Sequence, residues 1–295
     1  MATELGALVA LSNDIAGTVE RVAESVVAVE ARSRIGSSGF FVRPNLVLTA
    51  DHTLETDEVE IVRAGGATER AAIAGRDPST DLALLRVERE GAPLAFAPGD
   101  SLRTGAIAIA VARDDDGDVA ATLGVVSAAG GAWRTWHGGE IDRFIRPDLS
   151  FYPRFSGSPL VDASGRAIGL NTGGLSRRQV LTVPGSTIER IVETLLARGG
   201  RIPRGYLGVA LHGVEGGAII LGVEPNGPAA RGGLIVGDVI TAIGGTPVED
   251  ADDVHAQLRS GTAGTTLEID VLRAGAPLRV NVVAGERPDP STSSG

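Results

Sequence analysis

Three polar side chains stand out because one chemistry needs all of them. His52 follows an apolar run in LVLTADHTL, and an imidazole just past a strand end lies on a rim where other loops meet it. Asp81 opens the apolar run of RDPSTDLALLRV, so its carboxylate is half buried and needs a partner. Ser156 precedes Gly157 in YPRFSGSPLVD, a tight loop ahead of another strand. A hydroxyl is a poor nucleophile until a base takes its proton, and the base must be oriented by a third group. The order His, Asp, Ser on a β-rich scaffold is one of the known orders for such a triad. Each residue alone has a plainer reading: a rim histidine, a carboxylate capping a turn, a loop serine. Asp77, just before Pro78, takes the turn-capping role instead. Ser158 and the pair Ser37-Ser38 compete with Ser156, and both read as structural, the pair in a strand-joining turn.

The elements that must position these residues are mostly strands. Residues 11–24 predict a short helix, capped by Ser12, Asn13 or Asp14, with Ile15, Val19 and Val22 at helical spacing. From Val26 to about Val183, short apolar runs punctuated by turn residues suggest an antiparallel barrel or sandwich. A helix follows at Thr187–Arg198, with Ser186 and Glu189 as a capping box and Gly199-Gly200 as its stop. The stretch around 199–204 reads as a linker, 205–286 as a second unit, and 287–295 as a disordered tail. In the second unit, Gly244-Gly245 signals a tight turn, a short helix is expected at Ala229–Gly232, and another spans Asp250–Arg259.

Composition narrows the chemistry. The 295 residues set a prior of two domains, and 43% apolar residues can fill ordinary cores. There is no cysteine, which excludes disulfides, thiolate metal sites and a cysteine nucleophile. All 27 basic residues are arginine, which excludes lysine Schiff-base and Ser-Lys chemistry. The net charge of −10 argues against a nucleic-acid surface. No run approaches a membrane span, and the start lacks a basic leader-type region. The chain therefore reads as cytoplasmic as given, or as secreted or periplasmic with a leader removed. The acidic stretch Asp114–Asp118 lacks the twelve-residue calcium-loop spacing and reads as a solvated hairpin tip. His137, between Trp136 and Gly138, shares a loop with Trp133 that either contacts a partner or packs on the barrel. His255 either lines a groove or is solvated, and His212 suggests no role.

The stretches GSSGFFVRPNLVLTADHTL, GRDPSTDLALLRV, GVVSA and FSGSPLVDASGRAIGLNT resemble the HtrA (Deg) family of trypsin-like serine proteases. YLGV, GPAARGGLIVGDVITAIGG and DADDVHAQL resemble that family's PDZ domain, so the likeness covers about residues 20–285. The resemblance implies a trypsin-like double β-barrel over 1–198 and a small α/β PDZ domain over 205–286. It implies Ser156 as nucleophile, His52 as general base and Asp81 as the residue that fixes the imidazole tautomer. It assigns the oxyanion hole to the backbone N–H groups of Ser156 and Arg154. It places the grip on a peptide C-terminus at Tyr206, Leu207, Gly208 and Val209, with the peptide added as a strand beside Val209–Leu211. The implied activity is endopeptidase cleavage of unfolded or extended segments, with no cofactor, metal or nucleotide. The family's trimers use aromatic anchors near the N-terminus, whereas this chain has no aromatic residue before Phe40. A monomer and a trimer with aliphatic contacts at residues 5–20 both stay open.

The serine loop departs from the family's Gly-Asn-Ser-Gly-Gly and reads Arg154-Phe155-Ser156-Gly157-Ser158. The first glycine lets the backbone turn its N–H toward the oxyanion, and a non-glycine residue at positive φ costs about 1–2 kcal/mol. Losing one donor costs about 10²–10³ in rate. The expectation is a weak or gated protease; the alternatives are an impaired protease-like scaffold whose PDZ unit binds peptides, and an esterase. Ser150 stands six positions before Ser156, where enzymes specific for basic residues carry an acid, so the preference that the resemblance implies, for small or medium apolar side chains, is the expectation. Asp148 nearby reads as structural.

Overall fold

The computed structural model describes residues 2–31, 36–99, 102–136, 138–176, 178–200, 205–258 and 263–286. His137, Arg259, most of the 199–204 linker and the 287–295 tail lie outside the described residues. The chain divides into two compact units, Met1–Arg201 and Ile202–Gly295.

Unit 1 begins with helix α1 (Ala2–Ala23). It starts nine residues before the expected position, so Ser12, Asn13 and Asp14 sit inside the helix and cap nothing. The added segment is rich in alanine and leucine, and Gly6 is its weakest helix former before Ser12. Residues 6–14 of it are exposed, while Thr18, Val22 and Ala23 are buried. Six antiparallel strands then close a barrel in the order β1-β2-β3-β6-β5-β4. They are β1 (Val26–Glu30), β2 (Ser37–Arg43), β3 (Leu46–Ala50), β4 (Val59–Val62), β5 (Thr68–Asp77) and β6 (Leu82–Arg86). Alternate residues Val27, Val29, Phe41, Val47, Ala83 and Leu85 fill its interior. The residues between them, such as Phe40, Leu48, Leu82 and Leu84, are buried on the other face. Burial on both faces is why these strands read as unbroken apolar runs.

The second half holds β7 (Ile107–Arg113), β8 (Val119–Ala129), β9 (Trp133–Arg134), β10 (Glu140–Ile141) and β11 (Ile145–Asp148). It continues with β12 (Pro159–Val161), β13 (Ala167–Thr172) and β14 (Leu181–Pro184). Six of these form one sheet, β11-β8-β7-β12-β13-β14, whose end strands touch. Strands β9 and β10 make a separate pair. Helix α2 (Gly185–Ala197) buries Ile188, Ile191, Val192 and Leu195. It starts after Pro184 with no side-chain cap, so the expected Ser186–Glu189 box is not formed. The Thr187 hydroxyl instead accepts the Asp142 N–H at 2.9 Å.

Unit 2 contains a sheet in the order β16-β17-β18-β20-β21, with β19 beside β18. Its strands are β15 (Gly205–Tyr206), β16 (Val209–Val214), β17 (Gly217–Val223), β18 (Val239–Ile243), β19 (Thr246–Pro247), β20 (Thr266–Arg273), β21 (Ala276–Val283) and β22 (Gly285–Glu286). Helix α3 runs Pro228–Gly232 and α4 runs Ala251–Gln257. The side chain of Asp250 caps α4 by accepting the N–H groups of Asp252 and Asp253. Ile220, Ile240, Val254, Ile269 and Val282 lie in a core of this unit's own.

Candidate active site

Strand pairing alone brings two of the predicted residues together. Strands β3 and β6 are antiparallel neighbours with Ala50 opposite Leu82. The residue two past the end of β3 therefore meets the residue just before β6. His52 sits in a single helical turn, Asp51–Thr53, and the Asp51 N–H donates to the Asp81 carbonyl at 3.2 Å. Asp81 has φ of 58°, a left-handed conformation that aspartate tolerates better than most residues. Its Oδ1 accepts the His52 backbone N–H at 2.8 Å, and its Oδ2 lies 2.8 Å from His52 Nδ1. The carboxylate is buried and the imidazole about one-third exposed. The neighbouring Asp51 is paired with Arg76; burial pushes its carboxyl up, with Arg76 opposing.

Ser156 arrives from the second half of unit 1. The Ser38 N–H on β2 donates to the Ser156 carbonyl at 2.9 Å, and the Gly157 N–H donates to the Asn171 carbonyl on β13 at 2.8 Å. Gly157 has φ of 85°, and a β-carbon there would strike the Ser38 carbonyl. Ser156 Oγ lies 3.4 Å from His52 Nε2. The imidazole thus contacts the carboxylate with one nitrogen and the hydroxyl with the other. That relay can draw a proton from Ser156 while Asp81 steadies the imidazolium that forms.

Sequence reading missed two residues here. The Thr172 hydroxyl at the end of β13 donates to Asp81 Oδ2 and accepts the Gly174 N–H at 2.8 Å. Gly174 passes so close that a β-carbon would lie 2.5 Å from Asp81 Oδ2 and 2.6 Å from His52 Nδ1. The pattern GLNTGG offered a small-residue turn after a strand as the only signal. Ser38 also departs from expectation. It lies within β2, not a turn, fully buried, and its hydroxyl donates to the Arg154 carbonyl at 2.9 Å. Ser158 stays structural: its hydroxyl donates to the Phe155 carbonyl at 2.7 Å.

The oxyanion side is arranged differently. Pro153–Phe155 form a 3₁₀ turn in which the Ser156 N–H donates to the Pro153 carbonyl at 3.1 Å. The carbonyl of Pro153 and the N–H of Arg154 belong to one trans peptide, so they point in opposite directions. With the carbonyl aimed at the Ser156 N–H, the Arg154 N–H faces away. The two donors that the resemblance assigns to the hole therefore do not converge in this structure. The physical reason is Arg154 itself, which keeps the helical backbone a side chain prefers and avoids positive φ.

Other expected features fall into place around this centre. Asp77 caps its turn by accepting from Ser79 and Thr80. Buried Thr135 packs on that turn, its hydroxyl donating to the Ser79 carbonyl at 2.6 Å. Trp136 is exposed, and its Nε1–H donates to the Leu175 carbonyl. Asp114–Asp118 form the β7–β8 hairpin tip, and Asp115 is paired with Arg154. Asp148 and Ser150 are exposed.

In unit 2, Tyr206 lies in β15, and its hydroxyl donates to Glu224 Oε2 at 2.8 Å. Leu207 is buried, and its carbonyl accepts the Ala229 N–H. The Gly208 carbonyl accepts the Glu224 N–H, and Val209 begins β16. Within the described residues β16 pairs with β17 alone, so it is an edge strand, and α4 packs beside it. His212 and His255 are exposed on these two elements.

Residues 37–170 match the family described as trypsin-like peptidase domain, and residues 205–283 match the PDZ domain family. A protein of Brucella suis biovar 1 (strain 1330), named a probable periplasmic serine endoprotease DegP-like, is 31% identical over 280 residues, covering 88% of this chain and 54% of that protein. A protein of the same name from Pseudomonas putida (strain GB-1) is 30% identical over 286 residues, covering 90% and 59%. The chain thus spans about half the length of the curated relatives it matches. The solved structure of the HtrA-type protease AlgW with decapeptide has a TM-score of 0.72 at 27% identity, covering 94% of this chain and 99% of that one. The serine endoprotease from Yersinia pestis gives 0.73 at 26% identity, covering 92% and 97%. Both units are matched in the same order along nearly the whole sequence, and the chain is HtrA (Deg)-like: a trypsin-like peptidase domain followed by a PDZ domain.

Proposed function

We propose that this chain is a serine endopeptidase whose oxyanion turn rests closed. The observation that carries the reading is the convergence of Asp81, His52 and Ser156 through contacts of 2.8 and 3.4 Å. Ser156 Oγ attacks the scissile carbonyl carbon while His52 Nε2 takes the hydroxyl proton. His52 then passes that proton to the leaving amine, and the peptide C–N bond breaks to leave an acyl-Ser156. Water, deprotonated by His52, then attacks the acyl carbon; the bond from that carbon to Ser156 Oγ breaks, His52 returns the proton to Oγ, and the acid leaves. Asp81 keeps Nδ1 protonated, so that Nε2 is the free base. For the tetrahedral step to be fast, the Pro153–Arg154 peptide rotates so that the N–H groups of Arg154 and Ser156 face the oxyanion.

The substrates of this proposal are unfolded or extended segments with small or medium apolar side chains at the cleavage position. Peptide C-termini bind at Tyr206, Leu207, Gly208 and Val209 and pair with the open edge of β16. The reading divides the chain into a protease unit at 1–198, a linker at 199–204 and a PDZ unit at 205–286. Exposed Leu8, Val9 and Leu11 on α1 supply aliphatic surface for a homo-oligomer, a trimer in this proposal, with a monomer as the alternative. The described residues contain no helix long and apolar enough to cross a membrane. The relatives' periplasmic names favour a compartment outside the cytoplasm over the cytoplasmic expectation.

The closed turn favours one rival reading, a protease-shaped scaffold that only binds peptides. Cleavage of an unfolded casein-type protein by the intact chain and by Ser156→Ala separates the two, with and without peptides bearing apolar C-termini. Cleavage that vanishes in Ser156→Ala, and rises with peptide, is the expected result. Peptide binding without cleavage under either condition overturns the enzyme in favour of the scaffold.

A further inference from the structure

The closed turn is fastened from outside by charges that no part of the triad uses. Arg154 Nη2 lies 3.1 Å from Asp115 Oδ1, and its Nη1 lies 3.9 Å from Glu30 Oε1. Asp115 is not on a loose loop. The hairpin tip is closed by the Asp114 N–H to the Asp118 carbonyl at 2.9 Å and the Gly117 N–H to the Asp114 carbonyl at 3.0 Å. The Asp118 N–H donates to Asp114 Oδ1 at 2.7 Å. Buried Arg113 anchors the root, donating to the Gly117, Val26 and Ala23 carbonyls. The same residue's N–H donates to Ser38 Oγ at 3.2 Å, and that hydroxyl donates to the Arg154 carbonyl. The acidic tip and the oxyanion turn are therefore joined by one hydrogen-bonded framework.

We infer that Asp115, with Glu30, is a positioning residue for the oxyanion turn: it holds the Arg154 side chain so that the Pro153 carbonyl, not the Arg154 N–H, faces Ser156. Opening the hole requires the Pro153–Arg154 peptide to rotate, which carries φ at Arg154 to positive values and crowds its Cβ against the backbone carbonyls. Relief of that crowding shifts Cβ, and a guanidinium paired with Asp115 resists the shift. The tether thus adds to the cost of positive φ at a side-chain-bearing residue. The inference rests on the endopeptidase reading for its effect on rate, but not for its effect on the turn.

The test uses the full chain and the variants Asp115→Asn, Asp115→Glu and Arg154→Gly. Amide hydrogen exchange at Ser156 reads the turn without any chemistry, because that N–H is bonded to the Pro153 carbonyl. A partly exposed ion pair is weak, so Asp115→Asn is expected to speed this exchange about two- to five-fold. Asp115→Glu, which keeps the charge, is expected to stay near the parent. On a peptide amide, Asp115→Asn is expected to raise kcat by the same factor with KM unchanged, and Arg154→Gly by about 10²-fold. Adding Asp115→Asn to Arg154→Gly should then change nothing. Unaltered Ser156 exchange in Asp115→Asn, or a lower kcat, overturns the positioning role. Faster exchange with no Ser156-dependent turnover even in Arg154→Gly leaves the tether standing and overturns the endopeptidase reading instead.

Discussion

Two buried aspartates, one in each unit, receive similar numbers of hydrogen bonds and end up with opposite prospects. Asp238 in unit 2 is fully buried, and Arg273 binds it through Nε and Nη2 at 2.8 Å each. The Ile235 N–H adds a third bond at 3.0 Å. Those donors, the Arg273 bond foremost, hold the Asp238 carboxyl below the usual carboxylate range. Asp81 in unit 1 is bound by the His52 N–H, His52 Nδ1 and Thr172. A guanidinium is charged at every accessible pH, so the Asp238 pair ends there as a staple. An imidazole has a second nitrogen that can take up a proton, so the Asp81 pair leads on to Ser156. Burial and bond count do not distinguish a reactive carboxylate from a structural one. The partner's chemistry does.

The largest expected effect breaks the comparison if it fails. Asp81→Asn keeps the shape but presents an amide to Nδ1, which stabilises the tautomer with its proton on Nε2. That nitrogen can then no longer take the Ser156 proton. On a peptide amide, kcat should fall by about 10⁴ while folding is kept. A fall under about tenfold would make Asp81 a staple like Asp238.

Asp238→Asn should act on stability alone. Its side chain stays buried with weaker partners, at a cost of about 1–3 kcal/mol to unit 2. Both tryptophans, Trp133 and Trp136, belong to unit 1. Circular dichroism should therefore show an earlier transition while tryptophan fluorescence keeps its midpoint. The pH dependence has a definite sign. Because the folded carboxyl is depressed, its contribution is fully present above the ordinary value of 3.8 and is lost as pH falls below it, through the folded pKa. The variant should lack that acid limb in unit 2. A matching shift in fluorescence would show that the staple is not confined to its unit.

The sequence made the triad legible because each member sits at the edge of a distinctive apolar run. Pairing β3 with β6 turns positions 52 and 81 into neighbours, and both runs are buried on two faces. Thr172 and Gly174 were not legible, since a threonine after a strand and a glycine in a turn are common. Their role depends on β13 passing beside Asp81, which is a fact of three dimensions. Arg154 was legible as a departure, and the 3₁₀ turn supplies its consequence. The pairing of Arg154 with Asp115 joins residues far apart in sequence and had no local signal. The early start of α1 and the missing Ser186 cap are boundary effects, where weak local preferences yield to the chain around them.

The smallest effect sharpens the comparison by changing the number of donors to Asp81 without changing its partner. Thr172→Val removes one hydroxyl of nearly equal size from a fully buried position. Asp81 Oδ2 then keeps only His52 Nδ1, and the carboxylate gains freedom to rotate away from the imidazole. A charge-assisted hydrogen bond of this kind contributes about 1.5–3 kcal/mol in full. Part of that is expressed in holding the triad, so kcat should drop about tenfold, or about 1.4 kcal/mol. KM should stay put, because Thr172 reaches Asp81 and not the bound chain. Thr172→Ser restores the hydroxyl and should recover most of the rate, which a purely steric role for the side chain would not predict. If serine fails to rescue while valine folds normally, the donor count around Asp81 is irrelevant. Its reactivity would then follow from His52 alone, and the contrast with Asp238 would rest wholly on which base each carboxylate faces.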